Sequence, residues 1–176
     1  MTKATALFPR YLGASFADLP LAVQKLHLID GVVQWSGTAS VTRGPTLWAR
    51  FVAAVFRFPA AVDQTPVQVT MTPTPDGEIW VRQFGTSQFK SQLRLADAKV
   101  TERFGPFTFD LHLHVADGAL HFPVTAGRLG PLRLPRWALP VSIAREYESD
   151  GRFNFDVALH APLTGALMVH YKGWLA

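Results

Sequence analysis

TPVQVTMTPTPDGEIWVRQFGTSQFKSQLRLADAKVTERFGPFTFDLHLHV, residues 65–115, decides the fold. Large apolar residues recur at every second position, and turn signals punctuate the run at short intervals. Pro75-Asp76-Gly77 reads as a hairpin turn between strands at 67–72 and 78–84. Gly85-Thr86 leads into 87–95, where Phe89, Ser91, Leu93 and Leu95 alternate with Gln88, Lys90, Gln92 and Arg94. Ala96-Asp97 turns into 99–104, and Gly105-Pro106 into 107–115. Period-two alternation between closely spaced turns predicts a meander of antiparallel strands.

The same pattern continues toward the C-terminus. Asp117-Gly118 turns into a strand at 120–124, Ser149-Asp150-Gly151 separates 141–148 from 152–160, and 167–174 follows Pro162 to Gly165. The stretch 127–140, with three Pro and a Trp, reads as an irregular loop with a short turn. Upstream, the first 28 residues read as two short helices, the second starting at Asp18-Leu19-Pro20, and 31–42 as a strand. Gly44-Pro45 opens a further helix, 46–58, which is apolar almost all round except at Arg50 and Arg57 and is closed by Pro59. That helix is half the length of a membrane span and reads as one covered on several sides, or as a plug or lid over a cavity. The expected fold is therefore mainly β (α+β). It is a strongly curved antiparallel sheet or barrel of about nine strands, since a sheet this wide curls or closes, with N-terminal helices over one opening. The whole chain, 1–176, reads as a single domain, with helices and the first strand in 1–60 and the barrel strands in 61–176.

Three charges interrupt rows that the alternation assigns to the interior. These are Arg82 in Trp80-Arg82-Phe84, Glu102 in Val100-Glu102-Phe104, and Arg145 in Val141-Ile143-Arg145-Tyr147. A buried charge has to pair or meet a polar ligand. The three together imply a polar spot inside an apolar cavity, where a guanidinium fork suits carboxylate or enolate oxygens. Burial raises a carboxyl pKa and a nearby Arg lowers it, so Glu102 is a proton-shuttle candidate if desolvation wins. An equally weighted reading is a structural Arg–Glu pair that fixes strand register. Ser91 falls on the inward row, but no G-x-S-x-G elbow accompanies it. His27 ends the second helix, where capping the helix carbonyls outweighs a role as acid or base at the cavity mouth. Asp110, His112 and His114 alternate along one strand face, but Phe107, Phe109, Leu111 and Leu113 claim the other face as the core side. The histidines therefore face out, and no metal is expected.

Composition narrows the classes. Apolar residues make up 48% and charged residues 17%, the profile of a globular chain with a large core. Thirteen Phe and five Trp suit a wide space to fill or an apolar ligand to surround. The absence of Cys removes disulfides, thiol catalysis and zinc–thiolate sites. No signal peptide or membrane span is visible, so a cytoplasmic location is expected. A net charge of +4 attracts nucleic acid, anionic lipid or acidic small molecules. The arginines are scattered apart from a loose cluster at Arg128, Arg133 and Arg136, with no nucleic-acid signature, so nucleic-acid binding is not expected.

The segments LFPRYLG, FADLPLAVQKLH, GTASVTRG, WVRQFG, FKSQL, ERFGPFTF and PLTGALMVHYKGWL, taken together over essentially the whole chain, resemble the bacterial family catalogued as domain of unknown function 4166. Members of that family often follow a saccharopine-dehydrogenase-like NAD(P)-binding domain in one polypeptide. This chain has no Gly-rich strand-to-helix fingerprint and looks like a stand-alone version. The resemblance implies a small-molecule pathway setting and transfers no catalytic residues. Positions that recur in the family match Arg43, Trp80, Arg82, Glu102, Gly105, Tyr171, Gly173 and Trp174 here.

Three functions stay open. The first is a module that binds an apolar or amphipathic small molecule, bearing an acidic or carbonyl group, inside the cavity. The second is a cofactor-free cyclase or isomerase of a biosynthetic pathway, with Glu102, Arg82 and Tyr171 as catalytic candidates. The third, drawn from the resemblance, is an accessory partner of an NAD(P)-dependent oxidoreductase. Ligand-binding candidates are Trp80, Arg145, Arg43, Ser91 and His27. No cofactor and no integral membrane association are expected, and a homodimer or an oxidoreductase are the partners considered.

Overall fold

The computed structural model describes residues 6–176, so the first five residues of the expected N-terminal helix lie outside the described residues. Helices α1 (Leu7–Leu12) and α2 (Leu21–His27) flank a 3-10 turn, Gly13–Asp18. Strand β1 (Val33–Arg43) then leads to α3 (Leu47–Val55), whose N-terminus is capped by Thr46 Oγ1 accepting from the Ala49 amide at 3.3 Å. Twelve further strands follow: β2 (Val62–Thr74), β3 (Gly77–Phe84), β4 (Ser87–Ala96), β5 (Lys99–Phe104), β6 (Phe107–Leu111), β7 (His114–Ala116), β8 (Ala119–His121), β9 (Val124–Leu129), β10 (Leu132–Arg133), β11 (Val141–Ser149), β12 (Arg152–His160) and β13 (Leu167–Leu175). A 3-10 turn at Arg136–Ala138 precedes β11.

The expectation of a mainly β chain with an antiparallel sheet holds, but the strand count and the barrel do not. One thirteen-stranded sheet runs in the order β10-β9-β6-β5-β4-β3-β2-β1-β13-β12-β11-β8-β7, and the ladder does not close on itself. Two features account for the difference. The expected loop at 127–140 holds a small hairpin, β9–β10, in which Leu132 pairs with Leu129. The expected single strand at 107–115 breaks after Leu111, and its return partner breaks at Phe122-Pro123. Proline has no amide hydrogen to give a ladder, so strand pairing stops there. The Pro123 carbonyl accepts from the His112 amide at 3.1 Å instead.

These breaks send one hairpin across the fold. At its base β6 pairs with β9, on one wing of the sheet. At its tip β7 pairs with β8, and β8 pairs with β11, on the opposite wing. The hairpin thus ties the two wings together and makes them face each other, although β10 and β7 remain unpaired edges. Left-handed turns set these reversals: Asp117-Gly118 and Asp150-Gly151 both take positive φ at both central positions, and so does Asp97-Ala98, without a glycine.

The register fixes which end of the curved sheet each helix covers. The Leu7 amide donates to Glu78 Oε1 at 3.0 Å, and the Ala22 amide to Glu148 Oε2 at 2.8 Å, so α1 and α2 lie over the end at which β3 begins and β11 finishes. Helix α3 lies at the other end. Its Ala49, Val52 and Ala53 pack with Ala161 and Met168, and Phe56 just beyond it contacts the rings of Phe104, Phe107 and Phe109. The main core runs between the two ends through Phe8, Val23, Leu26, Met71, Leu93, Val100, Leu120 and Val169.

Glu78 is buried in this core and was not among the sequence candidates, although it begins the row Glu78-Trp80-Arg82-Phe84. Its second oxygen accepts from Trp80 Nε1 at 2.8 Å. Replacement by alanine would strand two buried N–H donors, each costing about 1–3 kcal/mol. Glu78→Ala is therefore expected to lower unfolding free energy by roughly 2–5 kcal/mol in a urea titration. Glu78→Gln, which keeps one acceptor, should lose less.

Candidate functional site

The inner faces of both wings line one cavity of about 130 Å³, with Leu26 beneath it and Phe56 and Phe58 above. One wall belongs to β3, β4 and β5. Trp80 pairs with Ser91 across β3 and β4, and Leu93 with Glu102 across β4 and β5, which brings Arg82, Ser91 and Glu102 onto one patch. Arg82 donates to Ser91 Oγ at 2.7 Å and to Glu102 Oε1 at 3.2 Å, and the Ser91 hydroxyl donates to the same Glu102 oxygen at 2.6 Å. The guanidinium lies 4.7 Å from the Trp80 ring centroid and 5.7 Å from that of Phe89. Two aromatic faces stabilise the cation from the sides, while the carboxylate balances its charge. The Arg82 and Glu102 side chains keep 15% and 14% of their surface accessible, so the pair is neither dry nor solvated.

The opposite wall carries a second carboxylate. Glu146 on β11 lines the cavity and approaches His27 Nε2 at 2.6 Å. His27 is fully buried between the Phe8 ring at 3.7 Å and the Trp80 indole at 5.8 Å, both centroid distances. Its Nδ1 has no hydrogen-bond partner among the described residues. With Glu146 ionised, the imidazole presents Nε2–H to it, as the imidazolium or as that neutral tautomer. The expected capping role is thus replaced: the Leu28 amide closes the helix turn onto Gln24, and His27 ties α2 to β11.

Tyr171 of β13 joins the two walls. Burial pushes its phenol up to about 12 from 10.0; Arg82 works against that rise, and Glu102 and Glu146 add to it. The hydroxyl therefore stays protonated at neutral pH, under the fields of both carboxylates.

Two candidates stand apart from this cluster. The inward row of β11 is Ser142-Ala144-Glu146, while Val141 and Ile143 are exposed, so the predicted row has the opposite face. Arg145 borders the cavity, but its side chain is about half exposed, bonds Asp156 Oδ2 at 3.3 Å and stacks over Tyr147, away from the Arg82 cluster. Burial acts to raise the Asp156 carboxyl, but hydrogen bonds from His170 and Arg145 outweigh it and hold it below its usual range. Arg43 does not line the cavity. Its guanidinium donates to the Phe58 and Pro59 carbonyls, both at 3.0 Å, and so fixes the turn that carries Phe58. Trp174 lies on the outer face beneath Arg152. His112, His114 and His121 stack in series on the tip hairpin, with centroids 5.6 and 5.1 Å apart. Among the described residues no group of three or more His, Cys, Asp or Glu is placed to hold a metal ion.

The structure therefore unites Trp80, Arg82, Glu102 and Tyr171 around one space, with Ser91 bridging Arg82 and Glu102 beneath it, and adds Glu146 with His27 behind it. A family model described as Domain of unknown function (DUF4166) matches residues 19–175. The chain belongs to that family. The match begins at Leu19, so it includes every residue of the two charged clusters. Comparison with curated proteins finds no match. Comparison with solved structures finds none either.

Two outcomes follow from this geometry. In Arg82→Met, Glu102→Gln and the double variant, the stability losses should be non-additive by about 0.5–3 kcal/mol in a denaturant double-mutant cycle. Additive losses would mean that the two side chains do not share one network. The raised Tyr171 pKa also has a signed effect on stability. Between its unfolded value of 10.0 and its folded value of about 12, the folded state holds the extra proton. Stability is then complete below pH 10 and falls as pH rises through that window, by up to about 3 kcal/mol. Tyr171→Phe should lose this part of the alkaline decline, as read from unfolding midpoints across the window.

Proposed function

We propose that the cavity binds an apolar or amphipathic small molecule and seats its single polar group against Arg82. The observation that carries this reading is the setting of that side chain. Ser91 and Glu102 take one N–H each, the two aromatic rings flank the guanidinium, and the remaining wall is Phe, Leu, Val and Met. A guanidinium has five N–H donors, so a ligand oxygen meets unused ones. Charge distinguishes between polar groups. Glu102 already balances Arg82, and Glu146 adds a second carboxylate, so a neutral carbonyl or hydroxyl fits this cavity better than an acid does. The aromatic lining supplies affinity by excluding water from the apolar body.

A second reading has its own support. Glu102, protonated Tyr171 and the Glu146–His27 pair border the same space, which is the set of groups a cofactor-free isomerase or cyclase needs to move a proton beside a polarised carbonyl. In that reading Arg82 polarises the oxygen, and one carboxylate takes the proton.

The two readings separate in a single series of ligands. A fluorescent apolar probe bound by the protein should be displaced by a long-chain methyl ketone more strongly than by the alkane of equal length. Arg82→Met should weaken the ketone about tenfold and leave the alkane unchanged, the size of one hydrogen bond to a charged group. Equal affinities for ketone and alkane, or an indifferent Arg82→Met, would sink the polar-seat reading. Hydrogen–deuterium exchange beside the ketone carbonyl, followed by NMR, decides the second: catalysed exchange lost in Glu102→Gln or Glu146→Gln supports proton transfer, and no exchange with the native chain rejects it.

A further inference from the structure

Most of the exposed large apolar side chains lie at one end; Leu21, Leu28 and Val32, at the other, are the exceptions. Helix α3 buries Ala49, Val52 and Ala53 against the sheet, but its opposite face is apolar as well: Leu47 is 81% exposed, Phe51 62% and Val55 51%. Their i, i+4, i+8 spacing places them in one stripe, with Trp48 beside it. Trp48 Nε1 donates to the Pro162 carbonyl at 2.9 Å, and the Leu163 amide to the Trp137 carbonyl at 3.1 Å. These two bonds join the α3 stripe to Leu163, 66% exposed, and Trp137, 65% exposed. Val141 and Ile143, the residues that inverted the β11 reading, continue from there on the outer face of the same strand end.

Charge is sorted in the same way. The three segments that build this end are 43–62, 127–144 and 157–171. Between them they carry the exposed Arg50, Arg57, Arg133 and Arg136, together with Arg43, which is held by the Phe58 and Pro59 carbonyls, and Arg128, 3.9 Å from Asp110; the one carboxylate next to them is the exposed Asp63 at the start of β2. At the other end lie Asp76, Asp97, Asp117, Glu148 and Asp150, in or beside the turns of that side. A helix exposing Leu, Phe, Val and Trp next to arginines is the pattern that sinks into a lipid headgroup region, Trp at the interface and guanidinium groups on phosphates. A protein partner would need carboxylates facing four exposed arginines, Arg50, Arg57, Arg133 and Arg136, as well as an apolar socket. An anionic bilayer supplies both features at once.

We propose that this end of the molecule, with α3 and Trp137 at its centre, is a docking surface for an anionic lipid bilayer. It is a peripheral attachment; among the described residues no helix is long and apolar enough to cross a membrane. The proposal stands apart from the reading of the cavity, but the two meet in space. Phe56 and Phe58, which follow α3, and Pro140, which follows Trp137, line the cavity. Docking would therefore set that side of the cavity against the source of an amphipathic ligand.

The test is flotation of the full chain with vesicles of phosphatidylglycerol mixed with phosphatidylcholine, and with phosphatidylcholine alone. Flotation is expected with the anionic vesicles only, and it should decline as salt rises. Phe51→Ser combined with Val55→Ser, and separately Arg133→Glu combined with Arg136→Glu, should each lower partitioning by at least about tenfold. All four positions are exposed, so circular dichroism and unfolding midpoints should match the native chain. Lys99→Glu, at the exposed start of β5 on the opposite end, should float normally. Absence of flotation with anionic vesicles overturns the proposal, and so does equal loss in Lys99→Glu. A single lipid retained in native mass spectrometry without flotation leaves the cavity reading intact and rejects the docking surface. A dimer in sedimentation that Phe51→Ser dissociates would assign the patch to a second copy of the chain instead.

Discussion

The hairpin that runs from β6 to β9 is the constraint on which the rest of the molecule depends. An open sheet of thirteen strands has no intrinsic reason to hold its two wings at a fixed separation. Here one covalent element belongs to both: its base pairs within one wing and its tip with β11 of the other. Because the tie is a folded hairpin and not a flexible tether, the separation it imposes is specific. That separation leaves a space between Glu102 and Glu146 that side chains alone do not fill. The abundant Phe residues then become intelligible. They pack edge-on and offset around that space, as in the Phe84, Phe89, Phe155 and Tyr171 cluster, where smaller side chains would leave voids.

Each of the buried charges is satisfied by a different solution, and the contrasts bear on function. Glu78 is spent on structure: both oxygens are taken by fixed donors, the Leu7 amide and the Trp80 indole. Glu102 concentrates two donors on one oxygen. Glu146 meets an imidazole whose far nitrogen has no hydrogen-bond partner among the described residues. Only the last two border the cavity, and both retain capacity to respond to something placed there. Arg82 sits among aromatic faces because a flat, weakly hydrated cation tolerates that setting where an ammonium would not.

Much of this was legible in the residues. The alternation after Thr65 gave the antiparallel sheet, and the row Trp80-Arg82-Phe84 correctly placed a guanidinium inside, opposite Ser91 and Glu102. The reading went wrong where the outer surface is itself apolar. On β11 the rule that apolar residues face inward selects Val141 and Ile143, and with them Arg145, whereas the structure turns Glu146 inward and leaves the Arg145 side chain half exposed at the cavity's edge, paired with Asp156. Glu78 was visible in its row and was passed over at the turn. The pairing of His27 with Glu146 joins residues 119 apart, and no local pattern carries that information. The expected count of about nine strands fails at short strands and at Pro123, where a single missing amide hydrogen moves the chain from one wing to the other.

The sheet order has a consequence for how the chain is made. Strand β13, the last in sequence, is not an edge but a central strand, between β1 and β12. Gly37 cannot find its partner until Leu175 has been synthesised, and the two wings are joined through the ladder only at that moment. Until then β1 presents an open edge, and the opposite wall is held against the aromatic interior of the β1–β6 wing only through the β6–β9 hairpin. Contacts of such long range make folding slow relative to that of chains dominated by local contacts. This chain therefore passes through a state that exposes much of its phenylalanine surface, and its yield in a cell should depend on chaperone capacity more than the stability of the finished fold would suggest.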